Sequence, residues 1–295
     1  MSQEISNRAG ELGFITAGFS SPVTPPYFDK YISWLSKGKN ADMNWMERRV
    51  ELRKNPSSLL KDCRTVISLA YPYSSQKPCT QDGLTVSRYS QPDLEDYHER
   101  LRILCNELAD MVKNTYKGCK ARVCIDSAPI LERSFAYLSG MGFIGKNNML
   151  IIPGYGSYFY LAEILTTAEI EAEPSMPIEI LCGSCTLCMD SCPGGALDKP
   201  FCLDASKCLS YQTIEKKGPV NAELGGKMGD CFFGCDRCQE VCPYNKKEGE
   251  IIITLPATEE LLDMDEEAFR ERFGKSAFAR AGLEKIKSNI RAIIG

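Results

Sequence analysis

Apolar residues in the first half of the chain follow two periods, and the switches between them mark the elements. Residues 1 to about 60 read as helical and polar. The stretch Ser20-Ser21-Pro22-Val23-Thr24-Pro25-Pro26 breaks that pattern, and it resumes from Tyr27, with Tyr31, Trp34 and Leu35 on one face. Residues 43–56, with Trp45, Arg48, Arg49 and Arg53, read as a basic and aromatic amphipathic helix. Residues 64–70 are rich in β-branched side chains and end at Tyr71-Pro72, which predicts a buried strand. From Leu94 the apolar positions Leu94, Tyr97, Leu101, Leu104, Leu108 and Met111 step by three and four. They predict a helix of about twenty residues with Pro92 and Asp93 just ahead of it.

Residues 122–125 predict a second strand that delivers Asp126 at its C-terminal end. Asp126-Ser127-Ala128-Pro129 then reads as a strand-to-helix corner. Ser127 suits the cap, Pro129 the first turn, and the helix is expected over residues 130–138. Gly140, Gly142 and Gly145 make the next loop glycine-rich, which would let a bulky ligand approach the backbone. Its spacing is neither a P-loop nor a dinucleotide fingerprint. Residues 148–152 and 157–161 read as the two strands of a hairpin around Pro153-Gly154-Tyr155-Gly156. Residues 167–180, with Pro174 and Pro177 among acids, read as a linker. Near the end, residues 265–273 and 283–294 are helical, the latter with Leu283, Ile286, Ile290 and Ile294 as an apolar stripe.

Composition narrows the class. The chain has 295 residues and 43% hydrophobic content, enough for a real core. The first residues have no apolar targeting segment and no stretch approaches ~18 apolar residues, so a cytoplasmic, non-membrane protein is expected. A net charge of −4 does not mark a nucleic-acid binder. Locally, though, Lys275, Arg280, Lys285, Lys287 and Arg291 face Glu284 alone, a pattern that on charge alone reads first as a solvated helix face. His98 is the single histidine, so acid–base work falls to it or to carboxylates, tyrosines and thiols.

The fifteen cysteines carry the most specific signal. Cys182, Cys185, Cys188 and Cys192, followed by Pro193, form a complete C-x2-C-x2-C-x3-C-P run, the spacing that holds a 4Fe–4S cluster and lends its fourth cysteine to a second one. Cys235, Cys238 and Cys242, followed by Pro243, repeat the last three positions. Crossing the runs assigns Cys182, Cys185, Cys188 and Cys242 to one cluster. Cys192, Cys235, Cys238 and either Cys208 or Cys231 go to the other. Tetrahedral zinc would leave half of these thiolates without a role, and nothing in the chain points to a secreted disulfide framework. The remaining cysteines, Cys63, Cys79, Cys105, Cys119, Cys124 and Cys202 among them, read as small buried hydrophobes.

Several stretches resemble the epoxyqueuosine reductases, which use cobalamin to complete queuosine at the tRNA wobble position. They are residues 126–133, from Asp126 to Arg133; 140–147, with Gly140, Gly142, Gly145, Lys146 and Asn147; and 155–163, with Gly156, Ser157 and Glu163. Residues 208–215 and 233–245 complete the set. The resemblance runs from about Met43 to the C-terminus. It implies a mixed α/β (α+β) fold: a nitroreductase-like cobalamin-binding domain over 1–178, a ferredoxin-like module with two 4Fe–4S clusters over 179–252 and a short C-terminal helical segment over 253–295. It implies Cys208 rather than Cys231 as the missing ligand, since relatives often have arginine at the latter position. Asp126 matches the family's proton donor, and Arg53, Met149, Gly156, Ser157, Ser210 and Tyr211 fall in stretches that line the corrinoid pocket.

The implied reaction is reductive removal of the epoxide oxygen, with a carboxylic acid protonating the alkoxide. For that role Asp126 needs a raised pKa, as burial against an apolar corrin would give. With one histidine, cobalamin is expected base-off. The implied partners are tRNA of the GUN anticodon type and a low-potential donor such as flavodoxin or ferredoxin, with the chain acting as a monomer. Two departures concern substrate contact. Longer members continue into HEAT-type helical repeats where residues 283–294 form the first such helix, and the family's Arg-Tyr to Asp-Tyr-His stretch is two residues longer here, from Arg88-Tyr89 to Asp96-Tyr97-His98. The competing readings are a related reductase acting on a free nucleoside or other small electrophile, and a two-cluster electron carrier.

Overall fold

The computed structural model describes residues 1–172, 176–245 and 251–295. Among them ten strands form: β1 (Thr16–Ser20), β2 (Thr65–Pro72), β3 (Lys77–Cys79), β4 (Thr85–Val86), β5 (Ala121–Cys124), β6 (Phe143–Ile144), β7 (Leu150–Ile151), β8 (Phe159–Thr166), β9 (Cys231–Phe233) and β10 (Ile251–Ile253). The main sheet has the order β1-β2-β8-β5, all antiparallel.

β2 is buried at its first six positions because both faces of the sheet are covered. Ile67 and Leu69 point to one face with Tyr160, Ala162 and Ile164 of β8, and meet Ile5 of the helix Ser2–Glu11 and Leu101, Leu108 and Val112 of the helix Tyr97–Thr115. Val66 and Leu165 point the other way, onto Phe135 of the helix Glu132–Leu138. Side chains alternate along the strand, but with apolar cover on both sides the sequence reads as a continuous hydrophobic run.

A second sheet, in the order β10-β3-β4-β9, joins distant parts of the chain. β4 pairs in parallel with β9, and β3 with β10. Val86 accordingly packs in a core with Phe232, Phe233, Phe273, Phe278, Ile286 and Ile290. Residues 77–86 of the first half are therefore built into the sheet and core of the second. The helix Leu283–Ile294 buries Leu283, Ile286 and Ile290 and leaves Ile294 exposed.

Four local expectations change. β1 was not expected, because Gly18 breaks the β pattern; it is glycine because a Cβ there would overlap Ser139 and Met141. Residues 41–49 turn rather than form a helix, which is confined to Val50–Lys54. The strand-to-helix corner is longer than expected: the helix starts at Glu132, and Ser127 hydroxyl faces Ile125 carbonyl instead of capping it. Finally, β7 pairs with β6, while β8 belongs to the main sheet. Only the bridge between Ile152 and Gly156 remains of the expected hairpin. Within the expected linker, Ala168 and Ile170 belong to the core, while Pro174 lies outside the described residues, as do residues 246–250 of the cysteine-rich module. Among the described residues no helix is long and apolar enough to cross a membrane.

Candidate active site

The loops of the two cysteine runs close against the main-sheet domain and leave two cavities with cysteines on their walls. One, of about 340 Å³, is lined by Cys182, Cys185, Cys188 and Cys242. The other, also about 340 Å³, is lined by Cys192, Cys208, Cys235 and Cys238 on one side and by Asp126, Glu132, Met149 and Tyr97 on the other. Burial pushes the Cys188 and Cys242 thiols up, and each is pushed further by neighbouring sulfurs of its own quartet. Cys235 rises to about 11 and Cys238 higher still, again by burial and then by Cys208 and Cys192. Thiols held this way bind metal only by releasing protons. Four sulfurs on the wall of each cavity suit a cubane in each. Cys231 lies on β9, fully buried, with its thiol toward the Phe233 and Gly234 carbonyls, and is on neither wall.

The glycine-rich loop clamps the cluster loops, and its Asn147 also lines the Asp126 cavity. Lys146 Nζ donates to the Gly183 and Cys185 carbonyls at 2.7 and 2.9 Å, and Asn147 donates to Cys238 carbonyl at 3.1 Å. A Cβ at Gly142 would overlap Ile151, so that glycine serves the β6–β7 pairing. Arg88 is a second brace that sequence reading did not assign. Its backbone N–H donates to Asp236 at 2.8 Å and its guanidinium to Glu240 at 2.6 Å, while Lys77 reaches Glu240 at 3.0 Å. These charges are nearly buried and compensate one another.

Of the expected pocket residues, Met149, Ser157 and Ser210 lie on the wall beside Asp126. Ser157 hydroxyl is already engaged with Gln239 and Asn245, so it serves docking of the cluster loop. Gly156, Arg53 and Tyr211 are off that wall. A Cβ at Gly156 would overlap Asn245; Arg53 donates to Arg48 carbonyl at 2.7 Å; and Tyr211 hydroxyl donates to Asp42 at 2.8 Å.

Asp126 follows β5 in a left-handed backbone conformation (φ 43°), stabilised by Glu132, which accepts the Asp126 N–H at 2.7 Å. Its carboxylate is half-exposed at the cavity and meets His98 Nε2 at 3.0 Å, while His98 Nδ1 meets Asp96 at 2.5 Å. Burial pushes Asp126 up, but the His98 hydrogen bond and charge, with Arg280 and Tyr97, outweigh it, so its pKa falls below the ordinary carboxylate value. The expected rise was tied to burial against a corrin; in the chain by itself the histidine, brought in by the helix Tyr97–Thr115, holds Asp126 down. Glu132 behind it is raised to about 8 by burial and by Asp126.

A third cavity of about 500 Å³ shares Glu132, Arg133, Asn148 and Leu203 with the Asp126 cavity and is walled by Tyr27, Tyr31, Trp34 and Phe201. Asn148 lines both, and its buried amide nitrogen has no hydrogen-bond partner among the described residues. On the outer face, a groove of about 1090 Å³ runs between Trp45, Lys216, Lys217, Arg280, Lys285 and Arg291. Lys285 is only 8% exposed, has no carboxylate partner among the described ion pairs, and is depressed by burial and by Lys216. Arg280 stacks 5.6 Å over Trp45 and is paired with Glu215, and its charge also acts on Asp126.

Comparison with known proteins matches residues 181–245 to a 4Fe-4S double cluster binding domain and residues 53–127 to the family described as epoxyqueuosine reductase QueG, DUF1730. The epoxyqueuosine reductase of Cellulophaga algicola is 32% identical over 97% of this chain and 95% of its own length. That of Escherichia coli K12 is 34% identical over 100% of this chain and 81% of its own. A crystal structure of epoxyqueuosine reductase with an epoxyqueuosine-modified tRNA-Tyr stem loop superposes with a TM-score of 0.85 at 31% identity, over 99% of this chain and 80% of that one.

Proposed function

This chain belongs to the epoxyqueuosine reductase family and reduces epoxyqueuosine in tRNA to queuosine, and we propose that it does so in the cavity between Asp126 and the second cysteine quartet. The observation that carries the reading is the shared wall: one space is lined both by four cysteines and by a carboxylate hydrogen-bonded to the chain's only histidine. An electron carrier has no use for the second half of that wall.

The double cluster domain would hold its two clusters through Cys182, Cys185, Cys188 and Cys242, and through Cys192, Cys208, Cys235 and Cys238. Cobalamin would occupy the adjoining cavities beside Met149 and Ser210, with Asn148 supplying its unused amide donor to a buried acceptor and Tyr27, Tyr31 and Trp34 flanking the rest. An orphaned donor and aromatic walls fit a large ligand that carries acceptors at its rim. When bound, cobalamin supplies the low-potential electrons that break the carbon–oxygen bonds. The residues of the chain exclude water, place the epoxide over Asp126 and deliver protons to its oxygen.

The outer groove suits the polynucleotide. Lys216, Lys217 and Arg291 offer charge to phosphates, and Trp45, under Arg280, offers a stacking face. The expected units divide the work accordingly: 1–178 forms the floor for cofactor and epoxide, 179–252 carries electrons, and 253–295 supplies part of the tRNA groove. We place the protein in the cytoplasm as a monomer, reduced by a flavodoxin or ferredoxin.

The test is conversion of tRNA containing epoxyqueuosine by protein with verified clusters and cobalamin and a strong reductant, run beside the free nucleoside. Queuosine formed faster from tRNA supports the reading. Conversion of the nucleoside alone would identify a small-molecule reductase, and conversion of neither would reject the activity.

A further inference from the structure

Asp126 is linked to a proton source that the family reading does not use. His98 stands between two carboxylates, Asp96 at 2.5 Å from Nδ1 and Asp126 at 3.0 Å from Nε2. A neutral imidazole has one N–H and can donate to only one of them. Two carboxylates facing both ring nitrogens therefore hold one more proton than a neutral histidine and two ionised acids would carry. We propose that Asp96 and His98 form a positioning and proton-holding pair behind Asp126, so that the proton delivered to the epoxide oxygen is stored on His98 and passes through Asp126. The inference rests on the epoxide-reducing reading of the cavity.

The geometry holds the pair in place from several sides. Asp96 caps the helix Tyr97–Thr115 by accepting the His98 N–H at 2.8 Å, and its own N–H donates to Lys275 carbonyl at 2.7 Å. The Tyr97 ring is stacked on Tyr160 with centroids 4.2 Å apart, which fixes the first turn of the helix. Three elements face the pair with titratable or charged groups: Asp96 and Tyr97 from its own helix, Asp126 and Glu132 from the corner after β5, and Arg280 from the C-terminal turn Ala277–Arg280. Burial draws His98 down, but its bonds to Asp126 and Asp96 outweigh this and raise it above its ordinary value.

The stoichiometry of the reaction makes such a store useful. Deoxygenation breaks two carbon–oxygen bonds, forms a carbon–carbon double bond, takes up two electrons from the reduced cofactors and releases the oxygen as water. Two protons are consumed. The first leaves His98 Nε2 through Asp126 to the oxygen as the first bond breaks. The imidazole, 25% exposed, is recharged from solvent and supplies the second. A depressed Asp126 is no obstacle to this, because it need only pass a proton and not keep one.

Because His98 is the only histidine, labelled histidine gives a single imidazole to follow. In protein with both clusters but no cobalamin, that imidazole is expected to titrate above about 6.5, and to move back toward it in Asp96→Asn and Asp126→Asn. Asparagine keeps the helix cap at 96, so the first variant isolates the charge. In single turnover with loaded enzyme, His98→Gln should slow queuosine formation on the order of 10²-fold at neutral pH. Asp96→Asn should move the alkaline loss of rate to lower pH, since a less stabilised imidazolium gives up its proton sooner. A histidine that titrates at its ordinary value, or a His98→Gln enzyme with an unchanged rate and pH profile, overturns the proposal. Should the wild type fail to convert tRNA, the substrate reading falls, while the titration still supports or overturns the pair.

Discussion

Across the two cluster cavities seven of the eight cysteines come from two short runs, 182–192 and 235–242, whereas the wall facing the second quartet gathers Asp126 from the end of β5, Met149 from beside β7 and Tyr160 from β8, with His98 behind Asp126 from a helix. The first is local in sequence, its thiols raised by burial and then by one another. The second is dispersed in sequence, and the sheet and hydrogen bonds set each carboxylate. Short spacing thus organises one wall and long-range packing the other.

Removing a ligand from the first wall should have the largest effect. Cys238→Ser is expected to lose roughly half the iron and essentially all turnover, while the histidine titration of the opposite wall stays where it was. Iron analysis and that titration on the same sample check both halves. Loss of the titration as well would mean that the walls are not independent.

Next comes the brace between them. Arg88→Met strands Asp236 in a nearly buried site and leaves Glu240 with Lys77 alone, and should destabilise the protein by about 3–5 kcal/mol, read as a lower midpoint in denaturant. An unchanged midpoint would show that the cluster loop does not lean on the first half.

How much of each wall was legible in sequence follows from the same contrast. Cluster ligands must sit a few residues apart to grip one cube, so their spacing survives in one dimension. The helix Tyr97–Thr115 and strand β2 were legible because period and apolar run are local signals. β1 was hidden by Gly18, whose reason is a helix end packed on it from far along the chain. The β6–β7 pair was misassigned because alternation says a strand exists, not which strand it joins. Asp126 could be singled out by its place after β5, yet its protonation depends on a residue 28 positions away, a partner that no local pattern reveals. The bracing roles of Lys146, Asn147 and Arg88 share this origin, since their partners lie on the cluster loops.

Smaller effects sharpen the picture outside the cavity. Lys216→Glu with Lys217→Glu should weaken tRNA binding, raising KM about tenfold with kcat at saturating tRNA little changed, and should lower the salt slope by roughly one for each phosphate that is no longer neutralised. Equal losses with tRNA and free nucleoside would remove the groove from the substrate path.

The smallest concerns Glu163, fully buried on β8 opposite Ser68 and Cys124, with neither oxygen hydrogen-bonded among the described residues. Burial, then Glu132, lifts it well above the ordinary carboxylate range. A raised folded-state pKa gives stability that is complete below the unfolded value and is lost as pH rises toward the folded one. Stability of the wild type, read from Tm, should therefore fall with rising pH more steeply than that of Glu163→Gln, by on the order of 1 kcal/mol across the range. Parallel curves would mean that the carboxyl is ionised in the fold.

The most direct measurement is single-turnover conversion of epoxyqueuosine-containing tRNA by wild type and Asp126→Asn, with iron and cobalamin content matched by their visible spectra. The wild type is expected to form queuosine while the variant keeps both cofactors and loses on the order of 10²-fold or more in rate. An Asp126→Asn protein that converts the tRNA at the full rate would contradict the assignment of this cavity as the place where the epoxide is reduced.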